Sequence, residues 1–213
     1  AGTPAGELFG QLVRMNDGPV HATHKPVLQH ALARLTVADA EASVRQAANA
    51  LAASARSLDD WCFALPVASV AALLGFGEAQ LPPLARWTRE FVACLSPLSN
   101  AAQLQAASAP AAQLLDRFEA HANQPPRPGS LLEAVMQAAH AGPSVQRRTL
   151  LANLVGLLSQ TCEATAGLMG NSLVALAREP GAGDAIAARP ELLPALVEET
   201  ARHDPSVQNT RRF

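Results

Sequence analysis

A chain of 213 residues with no tyrosine, 4% aromatics and abundant alanine and leucine can bury a substantial core without staples, and it lacks the alternating Val, Ile and Thr runs of a β-protein. The formal charge of -2, without any basic run, argues against a nucleic-acid or anionic-membrane surface, because phosphate recognition needs clustered Lys and Arg. Three cysteines without paired spacing exclude a disulfide framework and match a reducing compartment, so a cytoplasmic location is expected.

Residues Ala1 to Gly6 have neither a basic start nor a long apolar run, so no signal peptide is expected. Strong helix formers fill the rest, and the expected fold is all-α over one region, residues 1–213. Val20, Val27, Leu28, Leu32 and Leu35 recur at helical spacing over Pro19 to Leu35, and a second helix is predicted over Val37 to Ala55 with Asp39 and Glu41 early in it. Around Trp61 to Leu74, Pro66 is placed in the first turn of a helix that ends at Gly75-Phe76-Gly77. Pro82-Pro83 opens another that runs to about Leu95, and Asn100 to Ala122 is read as one further helix. Gln124-Pro125-Pro126-Arg127-Pro128-Gly129 is a proline-stiffened loop, followed by a short helix over Leu131 to Ala141.

From Ser144 the pattern stays helical to about Glu179, roughly 50 Å at about 1.5 Å per residue. Such a helix is expected to run through the whole molecule. Glu163 is the only charged residue between Arg148 and Arg178, and the predicted burial of that carboxylate calls for a functional reason or a neighbouring helix end to satisfy it. The longest purely apolar stretch is far below the roughly 20 residues that a bilayer requires. Near the end of the chain, Glu199 and Arg202 stand three apart on a helix, where a guanidinium can hold a carboxylate by two parallel bonds. By itself this pair reads as an ordinary exposed ion pair.

Three segments, in this order and spacing, resemble the cytochrome P450 family. Asp17-Gly18-Pro19-Val20-His21-Ala22-Thr23-His24-Lys25 is similar to the family's Asp-Pro-Pro-x-His-x-x-x-Arg, which opens a helix that binds a haem propionate. The resemblance assigns that contact to His21 and Lys25, with Lys in place of the usual Arg and therefore without its bidentate fork. Leu150 to Asn171 resembles the family's long helix across the distal haem face, with signature Ala-Gly-x-(Asp/Glu)-Thr-(Thr/Ser). Here those six positions read Gln160-Thr161-Cys162-Glu163-Ala164-Thr165. The acid is kept, Ala164 stands at the usual catalytic Thr position, and Thr165 lies about 100° further round the helix.

The third and most specific match runs from Glu191 to Pro205 and is similar to the family's Pro-x-Leu-x-x-x-Ala-Val-Glu-Glu-x-x-Arg. It implies a structural ion pair between Glu199 and Arg202. Beyond it, Val207 to Arg212 resembles the approach to a strand whose arginine binds the second propionate, a role given to Arg212, with Arg211 as the alternative. None of Cys62, Cys94 and Cys162 has the glycine-rich loop that precedes the family's iron-binding cysteine, so all three are expected to be packing residues and no metal ligand is assigned. The region covered corresponds to the helical middle of the P450 fold around a long central helix, without the family's amino-terminal sheet.

The resemblance implies a haem-thiolate monooxygenase that hydroxylates a hydrophobic small molecule with O2 and electrons from a ferredoxin-type donor. Glu163 and Thr165 are the candidate catalytic residues. Gly156, Ser159 and Gln160 would border the substrate, together with a loop carrying Leu8, Phe9, Leu12 and Val13. The alternative is a haem-free P450-like protein that serves as a binding partner of another enzyme, an option raised by Ala164 and the missing thiolate.

Overall fold

Side-chain caps fix where five of the described helices begin. In the computed structural model, which describes residues 2–54, 57–94, 99–142 and 144–207, eleven α-helices and no strand occur among the described residues. They are α1 (Pro4–Gly10), α2 (Gly18–Leu32), α3 (Val37–Leu51), α4 (Leu58–Leu73), α5 (Leu81–Val92) and α6 (Ala101–Ala106). After these come α7 (Ser108–Ala122), α8 (Leu131–Ala141), α9 (Arg147–Arg178), α10 (Ala182–Ala188) and α11 (Leu193–His203). Thr36 and Asp39 form a reciprocal capping box at the start of α3, with the Asp39 amide donating to Thr36 Oγ1 at 3.2 Å and the Thr36 amide donating to Asp39 Oδ2 at 2.9 Å. The Thr36 hydroxyl and amide both donate to the Asp39 carboxylate and hold its pKa below the usual value. Ser57 and Ser130 cap α4 and α8 by accepting from the amides of Asp60 and Glu133.

Four helix expectations need correction. Pro66 does not open α4 but lies buried inside it; the helix starts at Leu58, about two turns earlier, because the Ser57 cap and the acids Asp59 and Asp60 already satisfy its N-terminus. Asn100 to Ala122 is two helices with a break at Ala107, since Pro110 has no N–H to offer the Ala106 carbonyl. Leu8, Phe9, Leu12 and Val13 do not form an open loop. Leu8 and Phe9 belong to α1, whose cap is Thr3, and Leu8 and Leu12 are fully buried in the core. The expected extent of α5 to about Leu95 is also shortened: the helix ends at Val92, with Ala93 as its cap.

At the centre, α4 packs between α3, α5 and α9. Its inner face, Val67, Ala68, Ala71 and Ala72, is fully buried, and small side chains there let the backbones approach closely. On α9 the matching stripe is Leu151, Leu154, Val155, Leu158 and Cys162. At the end of α4 the chain turns through Gly75 at φ +94°, with the Phe76 amide donating to Ala71 O at 3.1 Å and the Gly75 amide to Ala72 O at 3.0 Å. A side chain at Gly75 would be strained in that conformation and would sit 3.2 Å from Ser130 Cβ.

Spanning 32 residues, α9 does not run buried through the whole molecule. Its buried positions are Thr149 to Gly156, Leu158, Ser159 and Cys162, with Ser172 alone beyond them. Past Cys162, its neighbours are α10 and α11.

Candidate functional site

Two segments dock onto α9 where the helix itself makes room. The first is the turn between α1 and α2. Asn153 of α9 is buried and accepts the Val13 amide at 2.7 Å, while its side-chain amide donates to Gln11 O at 3.0 Å and to Thr149 O at 2.7 Å. Thr149 adds a hydroxyl donated to Gln11 Oε1 at 2.5 Å. Leu12 then fills the groove at Gly156, where a Cβ would lie 2.7 Å from Leu12 Cδ2. Gly156 therefore does not border a substrate space in this structure, because a core leucine occupies it.

The second docked segment follows α11. Ser206 donates its hydroxyl to Ala164 O at 2.7 Å, and Asn171 donates to Asp204 O at 2.8 Å. A Cβ on Gly167 would lie 2.6 Å from Ser206 Cβ. Ala164, Thr165 and Leu168 of α9 face Ala201, Pro205 and Val207 across a cavity of about 310 Å³ that Ser206 also borders. Ser206 carries no recognisable sequence signal, and its role emerges only from this packing.

The polar stretch in mid-α9 is satisfied largely by its own helix. Ser159 donates to Gly156 O at 3.0 Å, Gln160 to Gly156 O at 3.1 Å and Thr161 to Leu157 O at 2.7 Å, as hydroxyl and amide side chains on helices often do. Ser159 is buried and Gln160 exposed. The expected burial of Glu163 is not found: it is exposed, without a hydrogen bond or ion pair among the described residues. Geometry accounts for this, since Glu163 lies about 100° round from Cys162 and so leaves the stripe that meets α4.

On α2, His21 is half-buried and Lys25 exposed, one turn apart on a common face. Neither has a hydrogen bond or ion pair among the described residues, so both keep donors for an anionic group. The helix packs chiefly on α8 and on the turn at Val13–Met15, and no hydrogen bond ties its two basic residues to α9. Arg211 and Arg212 lie outside the described residues. On α11, Arg202 grips Glu199 through Nε to Oε2 at 2.8 Å and Nη2 to Oε1 at 2.5 Å, which holds the Glu199 carboxyl below its usual pKa. Both partners are well exposed, so the two-bond geometry fixes orientation more than it stabilises the fold.

The donors of His21 and Lys25 suit the carboxylates of a haem, whereas the cysteines do not suit its iron. All three are buried. Burial, with the neighbouring Glu163 carboxylate adding to it, pushes the Cys162 thiol up to about 11. Only a thiolate ligates iron or reacts with alkylating agents, so Cys162 stays a thiol at neutral pH. In the folded protein at pH 8 it should resist iodoacetamide and react at the rate of a model thiol only after denaturation. Rapid labelling of native Cys162, mapped by mass spectrometry, would contradict this placement.

Among the described residues the framework is all-helical and organised on one long helix, which matches the mainly helical cytochrome P450 fold. The chain belongs to the cytochrome P450 family. It is 29% identical over 201 residues to cytochrome P450 144 of Mycobacterium tuberculosis, covering 89% of this chain and 45% of the relative. With cytochrome P450 107B1 of Saccharopolyspora erythraea it shares 30% identity over 153 residues, 71% of this chain and 36% of the relative. The crystal structure of CalO2 superposes with a TM-score of 0.80 at 26% identity, over 98% of this chain and 55% of that one. No family model matches. The chain spans about half the length of the curated relatives it matches. No helix among the described residues is long and apolar enough to cross a membrane.

Proposed function

We propose that these residues form the helical middle of a haem-thiolate monooxygenase that hydroxylates a hydrophobic small molecule with O2 and electrons from a ferredoxin-type donor. The observation that carries this reading is Glu163, an unpaired carboxylate at the acid position of the family's distal helix, two residues from the cavity residue Thr165. A bound haem supplies dioxygen activation and insertion of one oxygen atom into a C–H bond. His21, Lys25 and Arg212 hold its carboxylates, the lysine as a point charge. Glu163 exchanges protons with solvent and passes them towards the distal side. Ala164 has no hydroxyl to continue that relay, so Thr165, with ordered water, takes the next position. The apolar residues Leu168, Pro205 and Val207 favour a hydrophobic substrate in the adjoining cavity.

The thiolate comes from a cysteine other than Cys62, Cys94 and Cys162. The test is the absorption spectrum of the complete protein, reduced and exposed to carbon monoxide. A thiolate-type shift of the Soret band is expected, and its loss together with haem in a His21→Ala, Lys25→Ala double variant would locate the propionate contacts. A haem-free protein that co-purifies in fixed ratio with another enzyme would overturn the reading in favour of a binding role. Ala164 at the threonine position is the observation on that side.

A further inference from the structure

The proline-stiffened loop after α7 and the turn after α4 meet in a basic hollow that lies outside the haem-related residues. Arg117 and His121 stand one turn apart on a common face at the end of α7, and Gln124 follows two residues past the helix. Gly75 and Gln80 close the hollow from the segment after α4, and Arg127 from the loop, around about 250 Å³. No carboxylate lines it. The neighbouring acids are engaged elsewhere: Glu119 pairs with Arg147 at 2.9 Å, and Glu133 accepts the Gly129 amide at 2.7 Å. Asp116, next to Arg117 in sequence, makes no ion pair with it.

Two of the three basic groups are held in place. The His121 ring stacks on Phe76 at 4.0 Å, with Nε2 3.1 Å from Leu74 O, and Arg127 donates from Nη2 to Ala72 O at 2.9 Å. Both contacts cover the carbonyl end of α4. Arg117 has no hydrogen bond or ion pair among the described residues, and all its donors remain free. The helix ends α4 and α7 each bring about half a negative charge. Two guanidiniums outweigh that sum by roughly one positive charge, so neutralising the helix ends accounts for only part of the cluster.

We propose that this hollow binds a small oxyanion of the phosphate type, either free or as the end of a phosphomonoester. The Arg117 fork and the remaining N–H groups of Arg127 meet its oxygens, and the side-chain amides of Gln80 and Gln124 donate from the rim. Gln80 is oriented for this because its Oε1 already accepts the Gly77 amide at 3.1 Å. The site stands independently of the haem reading.

Calorimetric titration of the complete protein with inorganic phosphate, at ionic strength held constant with sodium chloride, tests it. Saturable binding is expected, weakened about tenfold or more in Arg117→Gln, which removes charge-assisted bonds from an exposed side chain and leaves the melting curve unchanged. Repeating the titration with glycerol phosphate separates the sources: tighter binding than phosphate supports a phosphomonoester, and equal or weaker binding supports the free anion. An absence of saturable binding to the folded protein, or equal affinity in Arg117→Gln, overturns the proposal.

Discussion

Replacing Asn153 by leucine should destabilise the protein by about 3 kcal/mol, because it strands the buried Val13 amide and one bond to the Gln11 carbonyl at about 1–3 kcal/mol each. Leucine keeps the branched four-atom skeleton but is bulkier, so overpacking adds to the loss of hydrogen bonding. For a chain of this size the melting midpoint should fall by on the order of 10 °C. Amide exchange adds a local readout. Val13 should lose its protection while Leu154 and Val155 keep theirs, since the α4 contact is untouched. Thr149→Val removes only the bond to the Gln11 side chain, and a fall of a few degrees is expected there. An unchanged midpoint in Asn153→Leu would mean that burial of Leu8 and Leu12 holds the segment without help from the asparagine.

Glu163→Gln should lower product formation in the complete haem-loaded protein by about a hundredfold, the lower end of what a positioned proton donor contributes. Stability should not change, because the side chain is exposed and unpaired. Glutamine keeps the shape but puts an NH2 donor in place of one carboxylate oxygen and cannot take up and release the relayed proton. The measurement is product formed per electron consumed, together with the haem content. Electrons should continue to flow while product falls. Full coupling in the variant would remove Glu163 from the proton route and leave water alone to supply it.

How far the sequence reaches depends on whether a signal is local. The bounds of α8 are legible because Ser130 and the preceding Pro-Gly loop mark its start, and the long helix is legible because its pattern is uninterrupted. In contrast, α1 has seven residues, too few to display a period, and its burial is decided by contacts with α7 and α9 more than a hundred residues away. Pro110 is a visible break that the periodicity around it outweighs on paper and not in three dimensions. The two-bond Glu199–Arg202 pair follows from spacing alone. Glu163 misleads because its isolation among uncharged neighbours reads as burial, whereas the covered stripe ends one residue earlier. Ser206 and Asn153 are invisible to motif reading. Each matters because a glycine or a backbone amide from a distant segment happens to meet it.

Gly156 and Gly167 stand eleven residues apart, three helical turns within about 20°, so both clefts open on one side of α9 some 16 Å apart. One admits Leu12 and the other Ser206, from opposite ends of the described chain. Insertion or deletion of a single codon between them would swing one cleft by about 100° away from its occupant, while substitutions that keep the count would leave both seated. This interval is thus constrained in length more tightly than in composition, and gaps in it should be rarer among related genes than exchanges of residue.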